Sequence, residues 1–99
     1  MDNKLKEITK EINICIPRME NSITRETIFR IFNKLNIGKI ERITENKLKS
    51  EEDYKRVILK MNWNNTETAV KIKGRLIDKL PVNIVYELPW FWKLVLSNK

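Results

Sequence analysis

The spacing of apolar residues along this chain alternates between two periods, and the order of those periods restricts the fold more than any other feature. Apolar residues at every second position are typical of half-buried strands, whereas residues three and four apart form one face of a helix. The periods follow the order strand, helix, strand, strand, helix, strand. Since two right-handed βαβ halves combine in one sheet, this order predicts an α+β, ferredoxin-like fold with a four-stranded antiparallel sheet and two helices on one face.

The first half of the chain carries one strand pattern and one helix pattern. Residues 12–19, INICIPRM, alternate isoleucine with polar or small residues, and Pro17 is expected to end this strand. Thr24 is the expected N-cap of the helix, because a threonine hydroxyl accepts a hydrogen bond from a free N–H of the first turn. The apolar stripe of that helix consists of Ile28, Ile31, Phe32 and Leu35.

A second and a third strand are predicted next, with a polar loop between them. The second, GKIERITEN, has Ile40 and Ile43 three residues apart, which indicates either a bulge or a strand that starts late. The third, KRVILKMNW, alternates strictly. Its outward-facing residues are expected to be Arg56, Ile58 and Lys60.

A second helix and a fourth strand complete the pattern. The helix is expected to begin at the asparagines of NWNNTETA, with Glu67 three residues after Asn64. The strand PVNIVYEL ends before Pro89. The 99 residues therefore predict one domain, with residues 1–11 as a lead-in arm and residues 89–99 as a C-terminal extension.

The charge of the chain favours an anionic partner. Twenty Lys and Arg residues against 13 Asp and Glu residues give a net charge of +7. Nucleic acid is the first candidate for such a protein, and an acidic protein or a membrane surface is the second. The opening MDNKLKEITK lacks the apolar core of a signal peptide, and no run approaches the roughly 20 apolar residues of a membrane span. We therefore expect an intracellular protein without a membrane partner.

Residue types that support catalysis or metal binding are scarce. The chain has no histidine and a single cysteine, Cys15, so neither a zinc site nor histidine-based acid–base catalysis is expected. The sequence also lacks a Gly-rich phosphate loop and a recognisable nucleophile–base pair. It therefore predicts a binding protein without a cofactor, and not an enzyme.

The element order and two strand sequences resemble the RNA recognition motif, a family whose sheet face stacks unpaired bases on outward aromatic residues. ICIPRM and YKRVILKM stand where that family has its two motifs. The inward apolar positions match the family, whereas Cys15, Arg56 and Ile58 replace the outward aromatic residues and Lys55 replaces a glycine. The resemblance implies a recognition-motif-like fold and RNA as the ligand.

A narrower resemblance covers nearly the whole chain. The stretches ICIPRM, GKIERI and YELPWFWK are similar to stretches of small proteins that giant DNA viruses encode, in which a Pro-Trp-Phe-Trp-Lys box follows the last strand. This resemblance implies the same recognition-motif-like fold and a viral origin, with the host cytoplasm or the virion as the location. It implies no particular activity.

The Pro-Trp-Phe-Trp-Lys segment has two candidate placements. In the first, Trp90 or Trp92 folds across the uncovered sheet face and closes the core. In the second, the rings stay exposed as a stacking platform for bases or as a contact for a protein. The alternation of Trp90 and Trp92 with Phe91 and Lys93 favours an arrangement in which one side packs and the other faces solvent.

The leading functional prediction is a nucleic-acid-binding module, with RNA favoured over DNA and modest sequence specificity. The alternative is a protein-interaction or virion-associated module that uses the uncovered sheet face or the Trp-rich segment, self-association included. The residues predicted to bind nucleic acid are Arg18, Arg42, Lys55, Arg56, Ile58, Lys60, Trp90, Trp92 and Lys93.

Overall fold

The computed structural model describes residues 12–88 and 90–97 of the chain. Its strands are β1 (Ile14–Glu20), β2 (Gly38–Lys47), β3 (Tyr54–Trp63), β4 (Val82–Glu87) and β5 (Trp90–Leu96), and its helices are α1 (Arg25–Leu35) and α2 (Glu67–Ile77). The strands form an antiparallel sheet in the order β2-β3-β1-β5-β4. The predicted α+β class with two helices is confirmed, but the sheet has five strands instead of four. The predicted lead-in arm, residues 1–11, lies outside the described residues.

Both helices begin at a threonine cap. The hydroxyls of Thr24 and Thr66 each accept a hydrogen bond from the backbone N–H three residues further along, at 3.2 Å. The prediction of Thr24 is confirmed, whereas α2 is capped by Thr66 and not by Asn64. The Asn64 side chain instead donates to the backbone carbonyl of Asn36, the left-handed residue that ends α1. This contact ties the end of α1 to the segment that leads into α2.

Of the two alternatives predicted for β2, the bulge is confirmed, whereas the strand does not start late. The register between β2 and β3 shifts between Ile40 and Arg42, and both Ile40 and Ile43 are buried as a result. Gly38 begins the strand with φ +155°, where a Cβ atom would lie 2.9 Å from the Cα of Trp63. Glycine is therefore required at this position by both the backbone angle and the close approach of β3.

Pro17 does not end β1, contrary to the sequence prediction. The strand continues to Glu20, and its register against β3 shifts between Ile16 and Met19. Proline has no N–H to donate to the ladder, and a bulge is one of the few places in a sheet that tolerates this loss. The shift keeps both Ile16 and Met19 in the core.

β1 lies between β3 and β5, and β5 lies within residues 89–99, which were predicted to be a C-terminal extension. Its last residues pair with β1, with Ile14 opposite Leu96. The earlier part of β5 pairs with β4, which therefore forms an edge of the sheet. Trp92 and Leu94 of β5 are buried, so this strand supplies core side chains at every second position.

A single hydrophobic cluster lies between the sheet and the two helices. Its strand members include Ile14, Ile16, Met19, Val57, Leu59, Met61, Trp92 and Leu94, and its helix members are Ile28, Phe32, Ala69 and Leu76. Because strand side chains alternate, the residues between these members point to the opposite face of the sheet. No described helix covers that face.

Candidate nucleic-acid interface

The open face is the sheet surface opposite the helices, and its centre is a row of side chains that crosses four strands. Thr44 pairs with Ile58, Ile58 with Cys15, and Cys15 with Val95. The last three side chains are half-buried. Shallow depressions of about 320 and 350 Å³ lie on either side of Ile58. The open face therefore has a mainly apolar floor with room on both sides of its central residue.

Exposed cations surround this row. They are Lys39, Arg42, Arg56, Lys60 and Lys93. Arg42 and Lys60 are direct cross-strand partners, and like charges in that position repel. Lys60 has Glu41 at 4.0 Å, whereas no carboxylate of residues 12–88 or 90–97 lies within 4.0 Å of Arg42, Arg56 or Lys93. An anion bound over this face would relieve the repulsion without displacing a strong ion pair.

Arg18 and Tyr54 form the end of the open face nearest to the loop between β2 and β3. The Arg18 guanidinium lies over the Tyr54 ring, 3.8 Å from its centroid, and contacts Glu51 Oε2 at 2.8 Å. Both ionic side chains are largely exposed, so their pairing is weak. Tyr54 was missed by the sequence analysis, although it lies two residues before Arg56 and therefore on the same face of β3.

Lys55 lies on the core face of β3, so the structure contradicts its predicted place in the nucleic-acid interface. It is 6% exposed, on the same side of the strand as Val57. Its Nζ lies 2.6 Å from Glu45 Oε1 and donates to the Ile23 carbonyl oxygen at 2.6 Å. Arg25 binds the other oxygen of Glu45 at 2.8 Å. Hydrogen bonds from Lys55 and then Arg25 lower the pKa of the Glu45 carboxyl.

The aromatic residues of β5 lie on different sides of the sheet. Trp92 is 2% exposed and stacks on Tyr86 with ring centroids 4.6 Å apart, so it is a core residue and cannot contact nucleic acid as predicted. Trp90 is exposed, but the alternation of the strand places it on the side of Trp92. The residues on the open face are instead Phe91 and Lys93. The predicted arrangement in which one side packs and the other faces solvent is confirmed for Trp92 against Phe91 and Lys93, but the segment does not fold across the open face, because it forms a strand within the sheet.

The structure brings together most of the predicted site and leaves part of it out. On the open face or at its end lie Arg18, Arg42, Arg56, Ile58, Lys60 and Lys93, whereas Lys55, Trp90 and Trp92 lie elsewhere. Alternation along β3 places Lys55 on the side opposite Arg56 and Ile58, so it would have excluded Lys55 from the predicted site. Along β5, assigning Trp92 to the core would have placed Phe91, and not the tryptophans, on the open face.

The open face includes Cys15, the single cysteine of the chain, whose thiol has a shifted pKa. Burial raises the pKa of the Cys15 thiol, which the nearby Arg56 only partly offsets, so the thiol stays protonated at neutral pH. Within residues 12–88 and 90–97, no cluster of potential metal ligands is found. None of the described helices has the length and apolar composition required to cross a bilayer.

Comparisons of the chain with protein-family models, with curated proteins and with solved structures give no match.

Proposed function

We propose that this protein is a nucleic-acid-binding module of the recognition-motif type, and that it binds single-stranded RNA on the open face. The observation that carries the proposal is the group of exposed cations around an apolar floor, of which Arg42, Arg56 and Lys93 have no carboxylate of the described residues within 4.0 Å. The succession β1-α1-β2-β3-α2, with β1 beside β3, supports the recognition-motif type.

A single strand matches this surface better than a duplex does. Splayed bases can lie flat against the floor formed by Ile58, Cys15 and Val95, while their phosphates contact the surrounding arginines and lysines. The depression beside Ile58 is also lined by Thr44 and Asn46, whose polar groups can hydrogen-bond a ribose 2′-hydroxyl. These two side chains support RNA over DNA. With few exposed rings on the face, sequence preference is modest and affinity is mainly electrostatic.

The test compares two triple variants that carry the same charge. The open-face triple variant removes three cations by the substitutions Arg42→Ala, Arg56→Ala and Lys60→Ala. The helix triple variant removes three cations from the helices by the substitutions Arg30→Ala, Lys34→Ala and Lys71→Ala. Each triple variant lowers the net charge from +7 to +4. Binding is measured by fluorescence anisotropy with labelled single-stranded RNA, single-stranded DNA and duplex of about 12 nucleotides or base pairs. The titrations are repeated between about 50 and 200 mM salt.

The proposal predicts tighter binding of single-stranded RNA than of the other two ligands. For single strands, each phosphate contact contributes about 0.7 to the slope of log K against log salt, so the open-face triple variant should lose about 2 from that slope. The helix triple variant should keep its slope close to that of the wild type. Equal losses in both variants would reduce the interaction to net charge alone, and no binding at the lowest salt would overturn the proposal.

A second candidate function is protein interaction through the β4–β5 hairpin, and it is favoured by a different observation. The four side chains Val85, Leu88, Trp90 and Phe91 are exposed by 54%, 84%, 59% and 53%. Exposed apolar groups concentrated in one place mark interaction surfaces more often than scattered ones do.

A further inference from the structure

The two edges of the sheet differ in how they are protected against pairing with another strand. β2 carries Lys39, Glu41, Arg42, Glu45 and Lys47 and a bulge in its middle, which are features that discourage edge-to-edge association. β4 reads VNIVYE, with Glu87 as its only charged residue and no lysine or proline. Its one register shift lies at its end, between Val85 and Glu87. No described strand covers its outer side.

Exposed apolar side chains on both faces of the β4–β5 hairpin adjoin this edge. The hairpin patch consists of Val85, Leu88, Trp90 and Phe91, each more than half exposed. Val85 and Phe91 are direct cross-strand partners, so their side chains adjoin on the open face. Edge and patch are therefore continuous, and both lie at the opposite end of the sheet from β2 and its charges.

A groove also runs between α1 and β4. Its floor is apolar, with Ile31, Leu35 and Ile84, and its rim carries the cations Arg30 and Lys34; its volume is about 210 Å³. Because the rim is positive, the groove favours a partner that presents a carboxylate beside an apolar strand.

We propose that the partner is a second copy of this chain, joined through antiparallel pairing of the two β4 edges. In a two-fold arrangement each edge must complement itself, and β4 does so when Val85 faces the partner's Val85. The register shift after Val85 pairs Glu87 with Trp90, on the helix side of the hairpin, so its carboxylate lies near the partner's Asn83 and on the same side of the sheet as the partner's groove with its positive rim. Each copy thus supplies the apolar strand with a carboxylate that the groove of the other copy favours.

The size of this interface sets its expected strength. Paired edges with the two hairpin patches bury on the order of 1,000 Å² in total, which is near the lower limit for a specific interface. The dimer should therefore form at micromolar or higher concentration and dissociate on dilution. Since the two copies carry +7 each and most of their charge lies away from β4, salt should strengthen the dimer by screening long-range repulsion. This salt dependence is opposite to that of nucleic-acid binding, and the dimer does not depend on the nucleic-acid proposal.

Sedimentation velocity of the full chain tests the proposal, at protein concentrations from micromolar to near-millimolar and at low and high salt. The wild type should move from the mass of one chain, 11.9 kDa, toward twice that mass as its concentration rises. Val85→Lys places a charge at the centre of the proposed interface and should remain monomeric throughout. Val70→Lys is the matched control, because Val70 is similarly exposed at 46% but lies on α2, and this variant should dimerise like the wild type.

Several outcomes would overturn the proposal. A wild type that stays monomeric at the highest concentration and salt excludes the dimer. A dimer that survives Val85→Lys uses another surface, and loss of the dimer in both lysine variants reflects added charge and not the β4 edge. Thermal unfolding followed by circular dichroism confirms that both variants are folded, which is expected because both valines are exposed in the protomer.

Discussion

Trp92 and Phe91 are neighbours in β5 with opposite environments, and replacing each by alanine tests the register of that strand. Trp92 is 2% exposed and stacked on Tyr86. Truncation of a buried tryptophan costs about 3–5 kcal/mol, and an aromatic pair contributes about 0.5–1.5 kcal/mol beyond its buried area. We expect Trp92→Ala to lower the free energy of unfolding by about 4 kcal/mol. That loss is a large part of the roughly 5–15 kcal/mol by which a domain is stable.

Phe91→Ala is the matched control for this prediction. The Phe91 side chain is 53% exposed, so its removal should change the free energy of unfolding by less than about 1 kcal/mol. Urea denaturation followed by far-UV circular dichroism measures both variants without relying on tryptophan emission. A larger loss for Phe91→Ala than for Trp92→Ala would refute the register, because a one-residue slip of β5 exchanges its two faces.

Two further predictions concern ion pairs of the described residues. Hydrogen bonds from Lys55 lower the pKa of Glu45, so this carboxylate stabilises the fold above its ordinary pKa of 4.5, and that contribution is lost as the pH falls through its lower folded value. In Glu45→Gln, the free energy of unfolding measured by urea denaturation at several acidic pH values should therefore depend less on pH than in the wild type. An unchanged pH dependence would contradict the pairing. Glu51→Gln should release Arg18 to contact phosphate and should raise the affinity for single-stranded RNA several-fold more than Glu52→Gln, which removes the same charge from the same loop. Equal effects of the two variants in anisotropy titrations would mean that the contact between Arg18 and Glu51 is irrelevant to binding.

Local patterns predicted the parts of the structure that depend on near neighbours in the chain. The spacing of Ile40 and Ile43 predicted the bulge that buries both, and the hydroxyl of Thr24 predicted the start of α1. Strict alternation in β3 placed Arg56 and Ile58 on the outer face of the sheet. Each of these features follows from steric and hydrogen-bonding preferences within a few residues, which the sequence displays directly.

Lys55 illustrates a feature that depends on distant parts of the chain. A lysine near the start of a strand is usually exposed, and its burial here is possible because its ammonium group donates hydrogen bonds to the Glu45 carboxylate and to the Ile23 carbonyl oxygen. Those partners lie 10 and 32 residues away along the chain. Their arrival at the same point depends on the packing of α1 and β2 around β3.

The sequence by itself determined the two helices, the location of four of the five strands, and the core-facing isoleucines of β1 and apolar residues of β3, because these follow from the period of the apolar residues. Only the tertiary structure decided which strand lies beside β1. Both β4 and β5 can present an apolar face to the helices, so either could satisfy the local pattern, and β5 takes the place and buries Trp92 and Leu94 against the helices. That choice depends on packing between distant segments, and it leaves β4 as a bare edge and Phe91 on the open face.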